Sequence, residues 1–172
     1  MTASIILCDY DPRWHPEFIR LRERLSECLG CLATAIEHIG STAIPGMAAK
    51  PIIDIDVVAS TDQNLAAIIA RLATLGYVHE GDLGIAGREA FRTSEKLPHH
   101  HLYVCHGDRQ EFRRHIIFRD YLRSNPWAAE EYIRIKNAAA KEFRNDRVSY
   151  TNAKSLFIEN IVSIESPSMT AE

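Results

Sequence analysis

Apolar residues recur at helical spacing at Phe18, Leu21, Leu25 and Leu29, just after Asp11-Pro12. Residues three and four apart share one helix face, so this spacing predicts a helix from Asp11-Pro12 to about Leu29. Gly30 is placed to end it. The short apolar run from Ser4 to Cys8 predicts a strand before that helix, and Leu32 to Ile39 predicts one after it. From Ile52 to Val58 the pattern becomes strict alternation. Ile53, Ile55 and Val57 fall on one strand face, and Ile52, Asp54 and Asp56 on the other. One face is therefore expected to pack a core while the other presents carboxylates.

Thr61 to Leu75 reads as an amphipathic helix, capped by Thr61 or Asp62 and stopped by Gly76. Strands are expected at Tyr77 to Glu80, Arg88 to Thr93 and about His100 to Cys105. A Gly-rich turn from Gly81 to Gly87 joins the first two, and Lys96 to His99 links to the third. After Gly107 the pattern is helical: Arg109 to Ser124, a break at Asn125-Pro126, then Trp127 to about Arg144. A last helix is expected within Asp146 to Ile164, with Ser149 as its N-cap, and Glu165 to Glu172 reads as a frayed tail. The fold class is α+β. A small mixed β-sheet packed by helices occupies residues 1-107, a helical subdomain 108-165, and a flexible tail 166-172.

Composition narrows the function classes. The chain has 172 residues, 46% hydrophobic and 25% charged, with a net charge of -3 when its 8 histidines are neutral. That is a globular composition, long enough to fold without staples. The basic footprint of a nucleic-acid binder is absent at whole-chain level, so nucleic acid is not the expected partner. The N-terminus MTASIILCDYDP lacks a basic segment followed by an apolar one, and no apolar run approaches bilayer length. Four cysteines at 8, 28, 31 and 105 do not form a secreted disulfide framework. A cytoplasmic protein without membrane attachment is expected.

The candidate chemistry centres on His38 to Val58. Asp54 and Asp56 point the same way from one strand, roughly 7 Å apart at Cα. Two such carboxylates suit Mg²⁺ (or Mn²⁺), a hard cation that leaves room for substrate phosphate; the alternative is two solvated aspartates. Gly40-Ser41 can form a turn in which bare backbone approaches an anion. Lys50, directly before the aspartate strand, either neutralises a phosphate or caps the loop. Arg88 and Arg92 share a strand face; they either extend an anion site or are solvated edge residues. Tyr150 and Lys154 lie one helical turn apart, and Lys154 is either a phosphate contact or an ordinary surface lysine. His99, His100 and His101 alternate in direction along a strand, so they cannot all ligate one metal. The Cys28-x-x-Cys31 pair follows a helix C-terminus, where the dipole disfavours a reactive thiolate.

Several segments carry a family resemblance: YDPRW (10–14), IEHIGSTAIPGMAAKPIIDI (36–55), LGIAGREAFR (83–92), HHHLYV (99–104), FRDYLRSNP (118–126) and YTNAKSLFI (150–158). Together they resemble the GrpB-like family of the nucleotidyltransferase superfamily, which has a DNA-polymerase-β-like fold. The resemblance implies a nucleotidyltransferase-like sheet in the first 107 residues. It implies that Asp54 and Asp56 bind metal, that Gly40-Ser41 meets a triphosphate, and that the helix of Lys154 lines the cleft. Related domains also occur fused to dephospho-coenzyme A kinases. One feature departs from the superfamily pattern. His100 to Cys105, the strand expected to supply a third carboxylate, contains none. His101 is the substitute, as base or metal ligand, and Tyr103 stands where the family often has another histidine. The expected function is metal-dependent binding of a nucleotide or other phosphorylated small molecule, with transfer of a nucleotidyl group to a small acceptor. The alternatives are a non-catalytic nucleotide- or coenzyme-A-binding module, and a protein-interaction subunit using the C-terminal helices.

Overall fold

The computed structural model describes residues 4–93, 97–106 and 109–165. In chain order the elements are α1 (Trp14–Leu29), β1 (Ala33–Ile39), β2 (Ile53–Ala59), α2 (Leu65–Thr74), β3 (Val78–Gly81), β4 (Arg88–Arg92), β5 (His100–Cys105), α3 (Gln110–Ser124), α4 (Pro126–Glu142) and α5 (Arg147–Glu165). The five strands form one mixed sheet in the order β1-β2-β5-β4-β3. Only β2 and β5 run parallel; the other neighbours are antiparallel. The fold is α+β, as the alternation of patterns predicts.

One sheet face is covered by α1 and α2. Ile53, Ile55 and Val57 of β2 pack there with Leu25, Leu29 and Leu72, all at most 4% exposed. The expected core face of β2 is therefore the observed one. The opposite face is not left to solvent. Helix α3 crosses it, and Arg119 reaches from α3 to Glu37 at 2.8 Å and to the His38 carbonyl at 3.0 Å. A second apolar cluster, including Ile44, Met47, Leu122 and Tyr132, joins the Gly40–Lys50 loop to the C-terminal helices.

Several boundaries differ from expectation, each for a local reason. Ser4 to Cys8 is not a strand: it makes one antiparallel bridge, Cys8 to Ala49. The next rung would fall on Pro51, which has no N–H to donate. Helix α1 starts at Trp14 rather than Pro12, because Asp11 and Pro12 form a turn in which the Asp11 side chain accepts the Arg13 N–H at 2.9 Å. Asp146, not Ser149, caps α5. Its Oδ1 accepts the N–H groups of Val148 and Ser149, both at 3.1 Å. The expected tail beyond 165 lies outside the described residues, as do Lys96 and Gly107.

His38 illustrates how the sheet face is sealed. It is 3% exposed, stacks on Phe18 with centroids 4.7 Å apart, and its Nε2 meets Thr42 Oγ at 3.0 Å. Burial brings its pKa down to about 4. The folded state then resists protonation that the unfolded chain accepts near 6.5. Stability contributed by neutral His38 is present above pH 6.5 and is lost as pH falls towards 4, by about 3 kcal/mol in total. Urea unfolding at pH 7, 5.5 and 4 should show wild type losing about that much more than His38→Gln over the same range. Parallel losses in the two chains would contradict it.

Candidate functional site

The site forms where β2, β5 and the Gly40–Lys50 loop meet the C-terminal helices. Register pairs Asp54 with His101 on the parallel neighbour. The His101 Nδ1 lies 2.7 Å from Asp54 Oδ1, and each side chain is about a quarter exposed. On the other side β1 pairs Ile39 with Asp54, so the chain leaves the sheet at Gly40, directly beside that carboxylate. Gly40 has φ 70° and ψ -171°, and a Cβ there would sit 2.4 Å from Asp54 Oδ2. Glycine is required at this point both for the backbone conformation and for the approach. The turn continues as a short 3₁₀ segment, Ser41–Ala43.

Asp54 and His101 open onto a cavity of about 240 Å³. Gly40, Ser41 and Lys50 form its sheet-side wall, and Lys136 of α4 with Arg147 and Lys154 of α5 form the other. Four cationic side chains and one carboxylate thus line it. Lys50 and Lys154 both lie over the Tyr150 ring, 5.4 and 4.1 Å from its centroid. Burial, reinforced by Lys154, brings the Lys136 pKa down to about 7. Burial, reinforced by Lys50, brings Lys154 down to about 8, and burial then Arg147 lowers Lys50. Partly desolvated cations crowded against one carboxylate make an electropositive pocket whose complement is an anion.

The expected site residues separate into two groups. Gly40, Ser41, Lys50, Asp54, His101 and Lys154 are brought together. Asp56, Arg88 and Arg92 are not on the cavity wall. Asp56 is fully buried beneath α3, with its Oδ2 2.7 Å from His115 Nδ1. Its face of β2 is closed there by α3, so it does not present a solvated carboxylate. Burial raises the Asp56 carboxyl; at His115 burial is the largest single influence and lowers the imidazole, but the bond to Asp56 and the charges of Asp56 and Glu111 together outweigh burial and raise it. Both shifts hold a proton in the pair more tightly than water would. Arg88 lies 4.3 Å over the Tyr103 ring. Arg92 pairs with Glu80 at 3.3 Å, its side chain 65% exposed. It is a solvated arginine on β4, away from that cavity.

Two contributors escape the motif pattern. Ala128, Tyr132, Lys136 and Ala139 form the buried stripe of α4, so Lys136 is a charge on an apolar face, and that is the trace it leaves in the helix pattern. His115 lies on α3 one turn before buried Arg119, with about a quarter of its side chain exposed, and the helix pattern does not single it out.

A divalent cation fits part of this geometry. Asp56 Oδ1 is buried without a hydrogen-bond partner among the described residues, on the same strand face as Asp54. A cation held by Asp54 and Asp56 would supply that partner. Among the described residues no group of three or more His, Cys, Asp or Glu side chains forms a metal site by itself. Water and ligand phosphate would have to complete the shell, as is usual for Mg²⁺.

The sequence matches the family described as GrpB protein over residues 4–163. The chain belongs to the GrpB family. It is 34% identical to the glutamate-rich protein GrpB of Alkalihalophilus pseudofirmus, covering 94% of this chain and 95% of that protein. It is 35% identical to the UPF0157 protein YqkA of Bacillus subtilis, where it covers 91% of this chain but spans 45% of that protein's length. A dephospho-CoA kinase of Mycolicibacterium paratuberculosis is 28% identical over 88% of the chain and 44% of the kinase. Among solved structures, the conserved protein GrpB from Enterococcus faecalis superposes with a TM-score of 0.82 at 32% identity, over 92% of this chain and 96% of that one. Cid1, in complex with its short product ApU, gives 0.54 at 13% identity, over 77% of this chain and 42% of Cid1. The fold of this GrpB chain is thus nucleotidyltransferase-like. Among its described residues no helix is long and apolar enough to cross a membrane.

Proposed function

We propose that this GrpB protein binds the polyphosphate of a nucleotide in the lysine-lined cavity, with Mg²⁺ or Mn²⁺ at Asp54 and Asp56, and transfers a nucleotidyl group to a small acceptor. The carrying observation is the convergence of Lys50, Lys136, Arg147 and Lys154 on one cavity where Asp54 is the sole carboxylate among the lining residues. Such a wall neutralises phosphate charge; Gly40 lets backbone close on it, and Ser41 offers a hydroxyl. Asp54 and Asp56 would hold such a cation, which would supply neutralisation of phosphate charge. His101, held by Asp54, is the group placed to take a proton from an acceptor hydroxyl.

One observation favours a second reading, a non-catalytic module for a nucleotide or coenzyme-A-type ligand. Asp56 is turned onto His115 and closed from the cavity, and β5 carries no third carboxylate. The likeness to part of a dephospho-CoA kinase gives that reading a ligand class. Titrating a nucleoside triphosphate with and without Mg²⁺, then following pyrophosphate release, separates the two. Metal-dependent binding with release supports transfer. Saturable binding without release across a panel of small alcohols and amines supports the module. No binding in either condition overturns both.

A further inference from the structure

Lys136 is 2% exposed. Its ammonium donates to Ser41 Oγ at 3.1 Å and to the Ala48 carbonyl, and lies 5.0 Å from the Tyr132 ring centroid. It thereby ties both ends of the Gly40–Lys50 loop to α4. An ammonium has three donors and no lone pair. In the Lys136 contact, Ser41 Oγ can therefore only accept. The hydroxyl's single proton is left for another acceptor, and Ser41 lines the cavity.

We propose that Lys136 is a positioning residue that fixes the Ser41 hydroxyl as a hydrogen-bond donor towards a phosphate oxygen in the cavity. The inference rests on the phosphate reading above; Lys136 acts on the ligand through Ser41. When Lys136 loses its proton, the neutral amine gains a lone pair and the Ser41 O–H turns towards it. The cavity then loses a donor that an anion needs. Burial, with repulsion from Lys154, places that change near pH 7. The groups that share the cavity with Lys136 are Lys154, Arg147 and Tyr150 on α5, Tyr132 on α4, Lys50 on the loop, Asp54 on β2 and His101 on β5. Lys154 titrates higher, near 8, and comparison with Ser41→Ala separates the part of any pH step that passes through Ser41 from the part carried by the other groups of the cavity.

Inorganic sulfate is the probe, because its charge is constant in that window. At fixed ionic strength its dissociation constant should rise about fourfold from pH 6 to 7.5 in the wild-type chain, following the protonated fraction of Lys136. Lys136→Arg keeps its charge throughout and should hold the pH 6 affinity at pH 7.5. Ser41→Ala should bind more weakly and lose the fourfold step, because the step travels through its hydroxyl. A fourfold step that survives in Ser41→Ala overturns the proposal, since the step would then not pass through the Ser41 hydroxyl, and the phosphate reading stands. The wild-type and Ser41→Ala pair decides the matter even if the arginine variant does not fold. Absence of sulfate binding at any pH overturns both the positioning role and the phosphate reading.

Discussion

Replacing Gly40 by alanine is expected to lower stability by about 2–4 kcal/mol and the melting temperature by about 10 °C. Two costs add. The backbone at φ 70°, ψ -171° lies in a region that residues with a Cβ avoid. The new methyl group would also sit 2.4 Å from Asp54 Oδ2, far inside van der Waals contact. Asp54 cannot swing away cheaply, because its Oδ1 is held by His101 at 2.7 Å. Gly46→Ala is the control. Its φ is 78°, but nothing lies within 4 Å of the added Cβ, so only the backbone cost of about 1 kcal/mol applies. Thermal melts of the two variants isolate the contact. Equal losses in both would mean that Gly40 does not pack against the carboxylate.

Asp54→Asn is expected to cut nucleoside triphosphate affinity in Mg²⁺ by about 100-fold, the size of a lost charge-assisted contact in a partly dry site. The substitution preserves shape beside Gly40 and leaves an oxygen for His101, so the melting temperature should change little. The sign in metal-free buffer is the sharper discriminator. Asp54 is then the one lining carboxylate facing the anion, and its neutralisation should leave affinity unchanged or raise it. Isothermal titration with Mg²⁺ and with chelator gives both numbers. A variant that still binds more tightly in Mg²⁺ than in chelator would remove Asp54 from any metal role.

The amphipathic pattern of β2 made half of this site legible. Ile53, Ile55 and Val57 alternate against Asp54 and Asp56, and the structure puts the first three in the core. His101 was legible as a candidate, but its place beside Asp54 was not: alternation fixes a face within one strand and says nothing of the register with its parallel neighbour. What the alternation cannot carry is the cover placed on the second face. Asp54 and Asp56 are equivalent in the strand pattern, yet α3 closes over Asp56 and leaves Asp54 on the cavity. That asymmetry is decided by tertiary packing of a helix more than fifty residues away in sequence. Arg88 and Arg92 stayed between two readings for the same reason: a shared face does not fix where long side chains end. Lys136 was readable as a charge in a buried helix stripe, though no motif points to it; His115, about a quarter exposed on α3, carries no such signal. The Ser4–Cys8 run resembles a strand, but Pro51 opposite it ends the ladder after one bridge.

On the proposed function, the lysine-lined cavity beside Gly40-Ser41 holds a polyphosphate with a divalent cation on Asp54. A crystal structure grown with a non-hydrolysable nucleoside triphosphate and Mn²⁺ tests it most directly, because manganese gives an anomalous signal that locates the ion independently. The expected result is an anomalous peak in contact with the Asp54 carboxylate and a phosphate oxygen, with phosphates against Ser41 and Lys154. A nucleotide bound elsewhere, or manganese away from Asp54 with the cavity filled by solvent, would contradict it.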